Sequence, residues 1–318
     1  MMSLEIDQDK FNENPFLFLE EWITKLVLGN QNNRLLDYDN DPIFDEPLIG
    51  VADGDDTIFR EFKKEIIIGD FHLTPREALR VYRIRQGKTV NEKRPRRISV
   101  ISCIFPTNIN SRLSSRRESF GGSARWNAVQ VSGKVFIEDV VLQSLVSLLE
   151  DLGYQAVAPC CTDPEIEVQS SHGRVSDWSE KHIAYAAGLG TFSLNGGLIT
   201  PLGKAVNLGS IITDLALPIT PRPYDNHMAY CLFYQNGSCK RCIKRCPSGS
   251  ISEQGYDARK CFDYNSGVPH DIVRNSDGEG YTGSHIEDFQ QIHYKGFLCG
   301  LCETKVPCEG RIPPAINI

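Results

Sequence analysis

The sequence predicts an α/β (α+β) fold in which a sheet covered by helices is followed by a small cysteine-rich lobe. Segments with helical periodicity alternate with short apolar runs typical of strands over residues 16–215. Such alternation is typical of helices that pack on a sheet. The chain has 11 cysteines, and eight of them fall in two groups after residue 230. These groups indicate that the C-terminal part is organised by metal rather than by a large apolar core.

The predicted helices are marked by apolar periodicity and by their end signals. The first is FLFLEEWITKLVL, residues 16–28. Thr74, Pro75 and Glu77 predict a helix start, with threonine as the N-cap, proline at the first helical position and glutamate at the third. A long amphipathic helix is predicted over residues 136–154, and another over residues 179–190, each ending at a glycine.

The predicted strands are short apolar runs bounded by turn residues. RRISVISCIFP, residues 96–106, predicts a buried strand that ends at a proline. Further strands are predicted at residues 155–159, 197–200 and 205–215. The chain is therefore divided into an N-terminal extension packed on the core (1–95), an α/β lobe (96–221) and a cluster-bearing lobe (222–318), with a proline-rich linker near residues 218–223.

Composition is that of a globular protein, with 41% hydrophobic and 24% charged residues. A net charge of −7 argues against a general nucleic-acid binder, so tRNA is an unlikely partner on this basis. We expect no membrane association, because no run of eighteen apolar residues is present. The printed sequence shows no secretory signal, so we expect a cytoplasmic protein, in which clustered cysteines usually bind metal or carry out redox chemistry.

The first cysteine group has the spacing of an iron–sulfur protein. Cys239-x2-Cys242-x3-Cys246-Pro247 matches the last three cysteines of the bacterial ferredoxin run. The preceding cysteine would fall at Asn236, and Cys231 is the expected substitute. The second group is Cys261, Cys299, Cys302 and Cys308.

Eight cysteines suffice for two [4Fe–4S] clusters. In two-cluster ferredoxins the cysteine before proline ligates the other cluster. We therefore expect one cluster on a first cysteine set, defined as Cys231, Cys239, Cys242 and Cys308. We expect the other on a second cysteine set, defined as Cys246, Cys261, Cys299 and Cys302. The alternative is two structural zinc sites, since four-cysteine zinc sites also use C-x2-C spacing.

Residues 187–210, AGLGTFSLNGGLITPLGKAVNLGS, contain six glycines. Glycine-dense backbone lets a flat or bulky ligand approach the main chain closely. Residues 178–215, followed by the two cysteine groups, resemble the epoxyqueuosine reductase and reductive dehalogenase superfamily. The resemblance implies a nitroreductase-like cobalamin-binding lobe fused to a ferredoxin-like two-cluster lobe, with the corrinoid between them.

The resemblance also implies site residues. The cofactor-binding residues would be Gly190, Thr191, Phe192, Ser193, Asn195, Gly196, Gly209 and Ser210. Epoxyqueuosine reductases carry an Asp-Thr-Gly-Pro element before the AGLG helix, and its aspartate is the expected proton donor. This chain has Arg174 at that position, so Arg174, Asp177 and Tyr185 are the candidate catalytic residues.

Three functions follow as hypotheses. The first is corrinoid-dependent reductive cleavage of a small-molecule substrate, with reduced ferredoxin or flavodoxin as the electron donor. The second is an electron-transfer protein without corrinoid chemistry of its own, and the third is a zinc-stabilised binding protein. The glycine-rich stretch favours the first over the second, because a docking lobe has no need of it, and metal analysis separates the third from both.

Overall fold

The structure is a computed structural model that describes residues 7–90, 97–161, 168–170, 173–267 and 298–314. Its helices are α1 (Gln8–Glu13), α2 (Pro15–Gly29), α3 (Ile58–Glu61), α4 (Pro75–Arg85), α5 (Ile109–Arg116), α6 (Ala124–Val135), α7 (Gln143–Asp151), α8 (Glu180–Ala186), α9 (Leu232–Asn236), α10 (Arg241–Arg245) and α11 (Ala258–Gly267). A π-helical segment, Phe136–Leu142, joins α6 to α7, and a 3-10 turn spans Pro159–Cys161.

The strands are β1 (Arg34–Leu35), β2 (Asp41–Pro42), β3 (Leu48–Asp53), β4 (Ser99–Pro106), β5 (Ala156–Val157), β6 (Val168–Ser170), β7 (Gly173–Val175), β8 (Thr191–Phe192), β9 (Leu198–Ile199), β10 (Val206–Thr213), β11 (Ile251–Ser252) and β12 (Gly255–Tyr256). The main sheet has the order β3-β4-β10-β5, and its paired strands are antiparallel. Strands β4 and β10 pair along their whole lengths, from Ser99 opposite Thr213 to Pro106 opposite Val206. The N-terminal segment contributes β3, which pairs with β4 over six residues.

Helices cover both faces of this sheet, which is why every residue of β4 is buried. One face carries Ile101, Phe105 and Ile211 and packs against α2, the π-helical segment and α7. The other face carries Val100 and Ile212 and packs against α4 and α8. The predicted α+β fold class is thus confirmed. Successive strand residues point to opposite faces, so both faces of such a strand must be apolar.

Local sequence signals predicted several elements at the positions where the structure has them. Thr74 accepts from the Glu77 backbone N–H and the Glu77 carboxylate accepts from the Thr74 N–H, which is the predicted capping box at the start of α4. The predicted start of the long helix at residue 136 is wrong. The helix begins at Ala124, where the Ser123 hydroxyl accepts from the Trp126 N–H, and it continues through the π-helical segment to Asp151.

The cysteine-bearing segments pack against α5 and the residues that follow it through partly buried polar contacts. The guanidinium of Arg245, within the first cysteine group, donates to the carbonyl oxygens of Ser115 in the last turn of α5 and of Glu118 just beyond it. Arg116 donates in return to the buried carboxylate of Glu309, at 2.8 Å. These contacts fix the cysteine-bearing segments relative to the sheet. Among the described residues no helix is both long and apolar enough to cross a membrane.

Gly203→Ala is expected to loosen this packing and destabilise the protein by about 3–5 kcal/mol. Gly203 has φ +84°, and an added Cβ would lie 2.2 Å from the carbonyl oxygen of Glu309. Both the backbone conformation and the overlap disfavour any side chain there. The measurement is the free energy of unfolding by anaerobic urea titration.

The matched control is Gly237→Ala. Gly237 has φ +71° but no atom within 4 Å of an added Cβ, so its loss is the backbone cost alone, about 1–2 kcal/mol. Equal losses for the two variants would show that the contact with Glu309 does not hold the lobes together.

Candidate redox site

The first cysteine set lines one recess. Cys231, Cys239, Cys242 and Cys308 surround one open-sided recess, together with Ser193 and Lys204. Cys231 is the N-cap of α9 and Cys242 lies in α10, so two short helices position these thiols. Cys308 arrives from a segment more than 60 residues further along the chain. The recess therefore forms only when the C-terminal segment folds back onto the first cysteine group.

The second cysteine set lies together in the same lobe. Burial raises the pKa of the Cys299 thiol to about 12, and the neighbouring Cys302, Cys261 and Cys246 add to the rise. Burial likewise raises the pKa of Cys302 to about 12. Such thiols ionise at neutral pH only beside a strong positive charge, such as a bound metal.

Cys246 differs from Cys299 and Cys302. Burial raises the pKa of its thiol, but hydrogen bonds from Ser248 and Ser250, each at 3.2 Å, outweigh burial and hold that pKa below its usual value. Within the described residues, no three His, Cys, Asp or Glu side chains converge on a point that would hold a single ion.

The glycine-rich hairpin, defined as residues 190–199, follows α8 and contacts the cysteine-bearing segments. It contains β8 and β9, paired through Thr191 opposite Ile199. The Thr191 hydroxyl accepts from the Tyr230 N–H at 2.9 Å, and the Phe192 N–H donates to the His227 carbonyl at 2.7 Å. Both contacts attach the hairpin to the segment before α9.

The tip of the hairpin contacts the second cysteine set. The Asn195 side-chain amide donates to Cys302 Sγ at 3.1 Å, and Ser193 hydrogen-bonds to Asn195. Gly196 has φ +72° and approaches the ring of Tyr256, while Gly190 packs against the Ile199 carbonyl. The close approaches that these glycines permit are thus approaches of protein to protein, whereas the sequence suggested a ligand.

Two other predicted cofactor-binding residues lie in the main sheet. An added Cβ at Gly209 would contact Ile137 and Leu142 on one face of β10. Ser210 points to the other face, where its hydroxyl accepts from Trp178 Nε1 at 2.9 Å. Because neighbouring strand residues point to opposite faces, side chains at these two positions cannot line one pocket.

The three candidate catalytic residues lie in different surroundings. The buried carboxylate of Asp177 accepts from the Tyr82 hydroxyl and lies 3.7 Å from Arg85, so it ties the segment before α8 to α4. Tyr185 stacks on Tyr224 with ring centroids 5.2 Å apart, and burial raises the pKa of its hydroxyl. Arg174 lies on β7, and its side chain is outside the described part of the chain.

Glu180, the first residue of α8, escaped the sequence analysis. Both carboxylate oxygens are buried, and neither has a hydrogen-bond partner of good geometry within the described residues. Burial raises the pKa of this carboxyl to about 7, although the nearby Ser210 hydroxyl lowers it and Glu138 raises it further. An acid at the start of a helix is usually solvated, so the sequence held no signal for it.

Comparisons with known proteins agree with the resemblance. No protein-family model matches the chain. The chain is 33% identical to the epoxyqueuosine reductase of Bacillus anthracis over 146 residues, and this alignment covers 45% of the chain. The aligned part spans about a third of the length of the curated relatives it matches. The predicted relation to the epoxyqueuosine reductase and reductive dehalogenase superfamily is confirmed by these relatives.

Solved structures also match, among them the following two. One is an epoxyqueuosine reductase with an epoxyqueuosine-modified tRNA-Tyr stem loop, at 17% identity and a TM-score of 0.45, covering 93% of this chain and 65% of that one. The other is a reductive dehalogenase whose structure suggests a mechanism for B12-dependent dehalogenation, at 17% identity and a TM-score of 0.39, covering 52% of this chain and 23% of that one.

One prediction is contradicted. The sequence analysis named a small-molecule substrate and judged tRNA unlikely, yet a solved relative is bound to a tRNA stem loop. The inference rested on the net charge of −7, which is a sum over the whole chain. A sum does not describe the local surface that contacts phosphates.

Proposed function

We propose that this chain is an iron–sulfur reductase in which two [4Fe–4S] clusters deliver electrons to a corrinoid. The observation that carries the proposal is the grouping of eight cysteines into two sets of four, with the first set around one recess. Curated relatives that are named epoxyqueuosine reductase support a reductase. The electron donor stays as predicted, a reduced ferredoxin or flavodoxin.

The residues of the first set fit a cluster better than a single zinc ion. Zinc holds each sulfur at about 2.3 Å, which brings four sulfurs within about 4 Å of one another. A four-iron cluster is a larger body that holds its four thiolates further apart. The four thiols line one recess, yet within the described residues no three metal-ligating side chains converge on a point that would hold a single ion, which matches the second arrangement.

The charge around the recess also fits. Lys204 lines it and is only 3% exposed. A buried ammonium is stable only beside compensating negative charge. Four thiolates around iron supply that charge, so the lysine and a cluster stabilise each other.

A corrinoid site is supported by the position of the glycine-rich hairpin. Its tip contacts Cys302 of the second cysteine set through Asn195, so a group held on the hairpin would lie beside that cluster. When bound, a corrinoid supplies a reducible cobalt centre for reductive bond cleavage. The chain would supply orientation through the hairpin backbone. Arg174, Asp177 and Tyr185 remain the candidate polar groups of the site, of which Asp177 and Tyr185 can donate a proton, whereas the arginine guanidinium keeps its own.

We propose that the substrate is a modified nucleoside within a tRNA. The relatives carry the name of an enzyme of epoxyqueuosine, and one solved structure holds a modified tRNA stem loop. The small lobe exposes Arg241, Lys244, Arg259 and Lys260, which can contact phosphates. Because Arg174 stands where relatives are expected to carry an aspartate, a nucleoside other than epoxyqueuosine is the better candidate.

Metal analysis of anaerobically purified protein tests the clusters. We expect about eight irons per chain, four for each cysteine set. Stoichiometric zinc with no iron, after anaerobic reconstitution with iron and sulfide, would overturn the proposal and favour a zinc-stabilised binding protein.

Cobalamin titration of iron-replete protein tests the corrinoid. Binding is expected at micromolar concentration, the weaker end of specific ligand sites. The specific alternative is an electron-transfer protein, which is favoured by the protein contacts that already occupy Gly190 and Gly196. Iron-replete protein that binds no cobalamin form would establish this alternative.

A further inference from the structure

Lys204 is buried between the two cysteine sets. It follows β9 in a tight turn, and its backbone N–H donates to the carbonyl oxygen of Cys308 at 2.9 Å. Its ammonium group donates to Asn195 Oδ1, also at 2.9 Å. The residue thus touches the first cysteine set through its backbone and reaches the hairpin tip through its side chain.

Asn195 continues the connection to the second cysteine set. Its Oδ1 accepts from Ser193 Oγ at 2.7 Å and from the Gly197 N–H at 3.1 Å, besides Lys204. The Lys204 ammonium and the Gly197 N–H can only donate, which fixes that atom as the oxygen. The amide nitrogen must therefore face Cys302 Sγ, to which it donates at 3.1 Å.

The charge of Lys204 acts on ligands of both sets. Lys204 lines the recess beside Cys242 and Cys308 of the first set, and its ammonium group is held at the hairpin tip that contacts Cys302 of the second set. Among the ion pairs of the described residues none contains Lys204. The cysteines of both sets and the carboxyl of Glu303 are therefore the acidic groups that act on its charge.

We propose that Lys204 and Asn195 form a bridge between the two clusters. This bridge raises the reduction potentials of both clusters and keeps the two potentials similar. The inference rests on the proposed function. Each cluster gains a negative charge when it is reduced, so a buried cation nearby stabilises its reduced form. Hydrogen bonds to cluster sulfurs and net charge are established determinants of cluster potential. Electrons then pass between clusters whose potentials respond to the same charge.

The test is an anaerobic redox titration of iron-replete full-length chain, followed by electron paramagnetic resonance. Lys204→Met is expected to shift both clusters to more negative potential, lowering the ratio of reduced to oxidised cluster about tenfold or more at a fixed potential, where tenfold is 59 mV for one electron. Lys204→Arg keeps the charge and is expected to retain most of the wild-type potential.

The matched control is Lys244→Met. Lys244 lies between Cys242 and Cys246 in sequence but is exposed, so solvent screens its charge. If Lys204→Met fails to bind iron, Lys204→Gln replaces it, because glutamine retains an N–H donor for Asn195.

The outcomes separate the two claims. Iron-replete Lys204 variants with unchanged potentials, or an equal shift in Lys244→Met, would overturn the bridge and leave the proposed function standing. Wild-type protein that binds no iron would overturn both.

Discussion

Cys308→Ser is expected to remove about four of about eight irons per chain and to leave the cluster of the second cysteine set intact. Cys308 lines the recess of Cys231, Cys239 and Cys242. Its nearest cysteines in the sequence are Cys299 and Cys302, which belong to the other set. Grouping by sequence proximity therefore predicts loss of the cluster of the second set. The three-dimensional structure predicts loss of the cluster of the first set.

A matched set of serine variants identifies the lost cluster. Cys231→Ser should give the same residual iron and the same electron paramagnetic resonance spectrum as Cys308→Ser. Cys246→Ser should give the complementary spectrum. Cys103→Ser is the control, because Cys103 is buried in β4, far along the chain from both sets, and should retain all the iron.

Two results would contradict this assignment. One is a Cys308→Ser spectrum that matches Cys246→Ser, which would place Cys308 in the second set. The other is full iron content in Cys231→Ser, which would show that the cysteine standing in for position 236 is not a ligand.

The sequence predicted the elements whose signals are local. The capping box at Thr74 and Glu77 and the strand around residues 99–106 depend on neighbouring residues, and both lie where they were expected. The grouping of the cysteines came from a rule about Cys-Pro in ferredoxins. That rule also depends on neighbouring residues only, although the cysteine sets that it assigns contain residues far apart in the sequence.

Elements whose causes are distant were missed or misplaced. The helix start at Ala124 was hidden by polar residues such as Asn127, which is buried because its side chain accepts from the Leu298 N–H. Strand β3 contains Gly50, and an added Cβ there would lie 2.7 Å from the Ala187 carbonyl. Neither partner is near in sequence, so neither role was visible from composition.

The glycine-rich stretch shows the same limit at the site. Six glycines indicated a close approach of some group to the backbone. For Gly203 the approaching group is Glu309, and for Gly196 it is Tyr256, each more than 50 residues later. The sequence established that space was needed, but only the fold identified what fills it.

Glu180→Gln is expected to stabilise the protein at pH 8 by about 3 kcal/mol, with little effect at pH 4.5. Burial raises the pKa of this carboxyl from 4.5 to about 7 in the folded protein. Between these values the folded state holds a proton that the unfolded state has lost. Wild-type stability therefore falls as pH rises from about 4.5 to about 7. Above that range the carboxylate is buried, and the described part of the chain offers it no hydrogen-bond partner of good geometry. Glutamine is neutral throughout and does not share this loss.

The measurement is the anaerobic thermal midpoint of wild type and variant at pH 5 and pH 8, where 3 kcal/mol corresponds to about 4 °C for a chain of this length. Glu150→Gln is a control of opposite sign. Burial raises the pKa of Glu150, but hydrogen bonds from Lys88 and Arg83 outweigh burial and lower it, so its replacement should destabilise the protein at pH 8. A Glu180→Gln midpoint at or below wild type at pH 8 would mean that the ionised carboxylate has a stabilising partner in the folded protein. The expected rise would instead establish a buried acid that exchanges its proton near neutral pH, beside the strand position Ser210 that the resemblance assigns to the cofactor.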